Sequence, residues 1–152
     1  MKKTFCLLII FFLMFLLVGC QKEIKKFSLE DKYYNSEELI VYEDYSKISS
    51  LINDKENFVL YIYLDGCSTC HDTKIILEEY LTDKKIMVYG LNYDAMEKGS
   101  QLKKTIEYAP SVVLIEKGKI VKFLDTSSDE DTFAFKDIDG FSKWFETYIE
   151  LK

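Results

Sequence analysis

The 152-residue sequence contains no arginine, so all twenty of its cationic side chains are lysine. That absence removes the planar, bidentate guanidinium fork suited to clamping phosphate. Histidine, tryptophan and proline each occur once, as His71, Trp144 and Pro110. One histidine and one C-x-x-C pair, Cys67 and Cys70, give too few well-spread ligands for a zinc site, and no second pair completes a four-thiolate cage. The acidic stretch Asp125 to Asp131 fails as a calcium loop: a frame begun at Asp125 puts Glu130 where the turn glycine belongs and Lys136 where the bidentate acid belongs. No metal is therefore expected. The net charge of −6 repels nucleic acid and anionic lipid headgroups, and nucleic-acid binding is excluded on that ground. Internal repeats and low-complexity tracts are absent as well.

What is present begins at the N-terminus. Met1-Lys2-Lys3 is a short cationic start, and Phe5 to Val18 is an uncharged apolar run of 14 residues. That length suits a signal peptide and falls short of the roughly 20 residues a membrane span needs. The run closes on Leu17-Val18-Gly19-Cys20, which resembles a bacterial lipobox, where the cysteine is acylated on sulfur and becomes the new N-terminus. The resemblance implies a signal peptide over residues 1–19, lipid on Cys20, and a chain facing the extracytoplasmic side of a cell membrane. Each buried CH₂ of the lipid contributes about 0.8 kcal/mol to anchoring. Loss of Lys2 and Lys3 would take the net charge from −6 to −8. Cys6 would leave with the signal peptide, so Cys67 and Cys70 would remain as the only thiols. Residues 20–36 are polar, lysine-rich and aperiodic, which predicts a tether; the alternative is that part of the segment, Phe27 to Tyr34, packs on the domain. Residues 37–152 are enough for one domain with a single core, expected to be a monomer.

Periodicity within that domain alternates. Leu39 to Tyr42 predicts a strand, and Tyr45 to Ile52 a helix through Tyr45, Ile48 and Ile52. Phe58 to Leu64, "FVLYIYL", is a continuous apolar run, as a strand buried on both faces requires. Thr69 to Leu81 predicts a helix with Ile75, Ile76, Tyr80 and Leu77 inward, Ile86 to Leu91 a strand, and Gln101 to Tyr108 a short helix. Ser111 to Glu116 and Ile120 to Leu124 form a hairpin about Lys117-Gly118-Lys119. Asp139 is the expected N-cap of a last helix whose Phe141, Trp144, Phe145 and Tyr148 recur at three- and four-residue steps. The order β-α-β-α-β-α-β-β-α predicts an α/β fold, a sheet built by right-handed parallel crossovers with the hairpin as an antiparallel edge.

Cys67-Ser68-Thr69-Cys70-His71 allows three chemistries: a redox dithiol, a fixed structural disulfide, or the C-x-x-C-H attachment site of a c-type haem with His71 as axial ligand. A central strand before the motif and a two-stranded hairpin after it count against the helical surroundings of a c-type haem. The strand "FVLYIYLDG", the C-x-x-C at the start of the next helix, and Ala109-Pro110 leading into "SVVLIEKGKIVKFL" together resemble the thioredoxin superfamily over residues 38–150. The resemblance implies a thioredoxin-like fold with a central mixed sheet flanked by helices. It also implies catalytic Cys67 and Cys70, a cis proline at Pro110 presenting substrate backbone together with Ala109, and no cofactor. Its partners would be protein thiols or disulfides and a redox partner. At a helix N-terminus the first sulfur meets unpaired N–H groups and the positive end of the macrodipole, so Cys67 is the expected nucleophile and Cys70 the resolving thiol. His71 lies four residues after Cys67, where helical spacing lets an imidazolium favour the thiolate.

Three departures from the thioredoxin pattern are visible. Gly66 stands where a tryptophan usually precedes the first cysteine, Ser68-Thr69 lacks the usual proline or glycine, and Tyr61 occupies the place of the buried acid that shuttles protons. These features make the chain similar to divergent thioredoxin-like lipoproteins and bacteriocin-transport accessory proteins of Gram-positive bacteria. The expected activity is a membrane-anchored thiol-disulfide oxidoreductase, with reduction slightly favoured. The alternative is a non-enzymatic binding or accessory lipoprotein with a structural disulfide.

Overall fold

The computed structural model describes residues 24–152, and the signal segment 1–19 and Cys20 lie outside the described residues. Five strands and four helices follow in the order read from the sequence: β1 (Leu39–Tyr42), α1 (Ser46–Asn53), β2 (Phe58–Tyr63), α2 (Ser68–Lys84), β3 (Val88–Asn92), α3 (Gln101–Thr105), β4 (Ser111–Glu116), β5 (Lys119–Asp125) and α4 (Ile138–Tyr148). They form one mixed sheet in the order β1-β3-β2-β4-β5. β3 runs parallel to both β1 and β2, whereas β4 runs antiparallel to β2 and to β5. The antiparallel part thus enters the middle of the sheet, beyond the hairpin edge expected from the alternation of elements. α3 is only five residues long and returns the chain in the opposite sense.

β2 is central and buried along nearly its whole length, which is why its sequence is apolar without alternation. α2 and α4 meet through aromatic side chains, with the Tyr80 ring 5.1 Å from that of Phe141 and 5.0 Å from that of Phe145. The buried stripe of α2 is Cys70, Thr73, Leu77, Tyr80 and Leu81. Ile75, expected inward, is 51% exposed, since it falls two residues off that stripe. The N-cap of α4 is Asp137 and not Asp139: its carboxylate accepts from the Gly140 N–H at 2.8 Å, while Asp139 sits in the first turn. α3 stops at Thr105, before Tyr108: Ile106 already has extended backbone, and Ala109, next to Pro110, is disfavoured from helix as well.

The expected tether over 20–36 is shortened by the structure. Ile24 to Lys26 are exposed, but Phe27, Leu29 and Tyr33 are buried in the core. Full burial of an apolar side chain of this size contributes roughly 1.5–3 kcal/mol, so three of them fix the segment to the domain. Phe27 bridges Ile149 in parallel: its N–H donates to the Tyr148 carbonyl at 3.0 Å and its carbonyl accepts from Glu150 N–H at 2.9 Å. Tyr34 bridges Ile86, and the Tyr33 hydroxyl donates to the Glu56 carboxylate at 2.7 Å. Burial, reinforced by that carboxylate, pushes the Tyr33 phenol far above its ordinary range. The folded unit therefore starts near residue 27, about ten residues before the expected boundary at 37.

Candidate functional site: a dithiol at the start of α2

β2 delivers the chain to the end of the sheet, and Leu64 to Gly66 turn it into α2. Gly66 has φ +72°, a left-handed conformation that glycine adopts without a Cβ penalty. Cys67 is the N-cap of α2, with extended backbone, and its Sγ accepts from the Cys70 N–H at 3.0 Å. Cys67 and Cys70 are joined as a disulfide, with their Cα atoms 5.2 Å apart. The two sulfurs are not equivalent. Cys67 is half-buried at the mouth of the site, while Cys70, one turn in, is 4% exposed.

Beneath Cys70 lies Tyr61. Its hydroxyl donates to the Cys70 carbonyl at 2.6 Å, inside the core. Burial, with Glu78 and Tyr63 adding to it, raises the Tyr61 phenol well above its ordinary range, so it stays protonated and remains a donor. Tyr61 thus ties the first turn of α2 to the central strand, a contact that its place in the motif alone did not reveal. Removing the hydroxyl in Tyr61→Phe leaves this buried carbonyl without that donor. The expected loss is about 1–2 kcal/mol of stability, read in urea unfolding of the oxidised protein. An unchanged midpoint would show that the bond contributes nothing.

His71 is exposed in the first turn of α2, where its backbone N–H donates to the Cys67 carbonyl at 3.1 Å. The Ala109-Pro110 peptide is cis, with Pro110 buried and Ala109 half-buried. Ser111 pairs with Ile62, so Ala109 and Pro110 enter β4 at the same end of the sheet from which β2 leads into the cysteine loop. The Ser111 hydroxyl fixes this corner by donating to the Tyr108 carbonyl at 2.9 Å. The acidic loop is organised internally: the buried Asp131 carboxylate accepts from the Asp125 N–H at 3.2 Å and pairs with Lys122 at 3.6 Å. Among the described residues no cluster of three or more His, Cys, Asp or Glu side chains could hold a metal ion.

A cavity of about 250 Å³ adjoins the cysteines on the β1 side of β2. Leu39, Val41, Tyr61, Tyr63 and Leu64 form its apolar walls, Cys67 and Cys70 close one end, and Asp65, His71 and Lys74 stand at its rim. Ala109 and Pro110 do not line it. The sequence signal for this cavity was a glycine inside a strand, "VYGLN". Val41 and Tyr61 both pair with Gly90, which leaves a gap in the sheet face between them.

No protein-family model matches the chain, and no curated protein matches it. Solved structures do. A mutant thioredoxin from Halobacterium salinarum superposes with a TM-score of 0.57 at 17% identity, covering 78% of this chain and 96% of its own. The oxidised thioredoxin of Plasmodium falciparum gives 0.55 at 18% identity, covering 74% and 100%. The reduced thioredoxin pre-protein of Schistosoma mansoni gives 0.55 at 18%, covering 74% and 99%. With the sheet order, the cysteine pair capping α2 and the cis proline at the start of β4, these likenesses establish that the chain has the thioredoxin fold.

Proposed function

We propose that the protein is a thiol-disulfide oxidoreductase held at the extracytoplasmic face of a cell membrane by lipid on Cys20, with disulfide reduction as the favoured direction. The observation that carries the reading is the asymmetry of the pair: an accessible Cys67 at the positive end of α2 and a buried Cys70 one turn behind it. In the reduced protein the helix N-terminus favours the Cys67 thiolate. That thiolate attacks one sulfur of a substrate disulfide, forming a mixed disulfide and expelling the other sulfur as thiolate, which takes up a proton. Cys70, deprotonated, then attacks Cys67 Sγ. The substrate leaves with both of its sulfurs reduced, and the two electrons it gained are matched by the Cys67–Cys70 bond formed in the protein. Ala109 and Pro110 offer backbone to the bound chain from the far side of β2, and a protonated His71 would add to the pull on the thiolate.

The test is a redox titration of protein purified from its native membrane, following Cys67 and Cys70 by alkylation and mass. A reversible two-electron transition near roughly −270 mV is the expected result, and one near about −120 mV would reverse the direction to oxidation. Absence of any reversible transition would overturn the enzyme reading in favour of an accessory lipoprotein with a structural disulfide.

A further inference from the structure

The dithiol explains electron transfer but not which polypeptides reach it. We infer that the cavity between α2 and the β1 edge is a specificity subsite that takes one bulky apolar side chain of the substrate, next to the substrate's reactive cysteine. The inference rests on the oxidoreductase reading and names the substrate class for that same site.

Four observations converge on that occupant. The cavity ends on Cys67 and Cys70 themselves, so a chain in disulfide exchange at Cys67 passes over its mouth. Its volume, about 250 Å³, is below the roughly 300–1,000 Å³ of pockets for whole small-molecule ligands, and so is scaled to a single side chain. Its walls are apolar, and two of the three polar groups at the rim already have partners. Lys74 pairs with Glu78 at 3.5 Å, and Asp65 accepts from the Asn92 side-chain N–H at 3.0 Å. A charged side chain entering here would lose water without gaining a free partner from either, whereas an apolar one gains by leaving water. Finally, the walls are pre-formed. Tyr61 is fixed by its bond to the Cys70 carbonyl, and Tyr63 stacks on it with ring centroids 6.0 Å apart.

Gly90 is what keeps the space open. A Cβ at this position would stand 3.1 Å from Val41 Cγ2 and 3.5 Å from Leu39 Cδ1, directly within the cavity wall. Val41 is the outermost part of that wall, 45% exposed on edge strand β1. Its exposure costs solvation when nothing is bound and is relieved by an apolar occupant.

The experiment compares reduction of two synthetic peptide disulfides by the full-length protein in detergent, the peptides differing only in phenylalanine or glycine beside the cysteine. The wild-type protein is expected to favour the phenylalanine peptide about tenfold in kcat/KM, the scale set by partial burial of one apolar side chain. In Val41→Asp that ratio falls to near one, and in Gly90→Ala it falls part of the way. Val121→Asp, a change at an equally exposed valine on the opposite edge strand, keeps the wild-type ratio. Turnover of both peptides without preference, or a preference that survives Val41→Asp, overturns the subsite while leaving the oxidoreductase reading intact. Failure of the wild-type protein to reduce either peptide overturns both.

Discussion

On the proposed mechanism, Cys67→Ser is expected to abolish disulfide exchange, while Cys70→Ser is expected to leave a protein that reacts once and stops as a mixed disulfide with its substrate. The two outcomes differ because the two sulfurs stand in different surroundings. Cys67 is the helix cap, reachable from outside and next to the unpaired N–H groups of α2's first turn. Cys70 is 4% exposed, so no external disulfide reaches it, yet it lies within bonding distance of Cys67. Serine at 67 removes the one accessible cysteine sulfur among the described residues, and turnover should drop to the uncatalysed level. Serine at 70 removes only the second attack, so the covalent adduct accumulates and is seen as added mass on non-reducing electrophoresis, reversed by dithiothreitol. Full activity in both variants would sink the mechanism. Adducts on Cys70 in place of Cys67 would reverse the assigned roles.

The largest expected structural effect comes from one methyl group far from the cysteines. Gly118→Ala should destabilise the protein by about 2–5 kcal/mol, combining roughly 1–2 for a left-handed non-glycine residue with about 1–3 for forced overpacking. Lys117 and Gly118 turn β4 into β5 with φ of 51° and 71°, the positive pair that a two-residue hairpin loop of this type demands. Lys117 is exposed, but Gly118 is buried against the last turn of α1. An added Cβ at Gly118 would stand 2.1 Å from the Ile52 carbonyl oxygen and 3.1 Å from its carbon, and this obstacle is backbone that cannot rotate away. Gly118 N–H also donates to the Glu56 carbonyl at 3.1 Å, so moving the turn aside breaks that bond. Gly99→Ala is the informative comparison: φ is +85° there too, but nothing lies within 4 Å of the added carbon. It should lose only the conformational part. Urea unfolding of both variants distinguishes the two contributions, and equal midpoints would show that the close approach to α1 is unimportant.

Where one physical requirement governed a segment, the sequence displayed it. β2 had to be buried on both faces, and "FVLYIY" is apolar throughout; the β4–β5 turn needed positive φ, and a glycine stood in it. The positions of Cys67 and Cys70 at a helix start followed from the same order of elements. Features that depend on long-range register were not legible. The antiparallel entry of β4 after a five-residue α3 is recorded in no local pattern, and only the resemblance to the thioredoxin superfamily carried the expectation of a mixed sheet. Ile75 looked inward because it is apolar, yet the fold chose Thr73 and Leu77 for the buried stripe, leaving Ile75 outside. Asp139 and Asp137 are chemically identical as caps, and only the backbone distinguishes them. Docking of Phe27 to Tyr34 was the alternative to a free tether, and the burial of Phe27, Leu29 and Tyr33 decides for it. Three large apolar side chains in a lysine-rich segment were outweighed by its polar average, although each had a place in the core.

The docking of Phe27 against Ile149 bears on distance as well as stability. In the proposed lipid-anchored form, only seven residue steps separate Cys20 from the first side chain held in the domain. A fully stretched chain spans at most about 3.3–3.6 Å per residue, so the leash is no longer than roughly 25 Å. That is shorter than the segment would allow if it ran free to residue 36. A domain held so close to the bilayer sweeps a thin shell of space, which favours disulfides in proteins anchored in, or emerging from, the same membrane over those dissolved far from it.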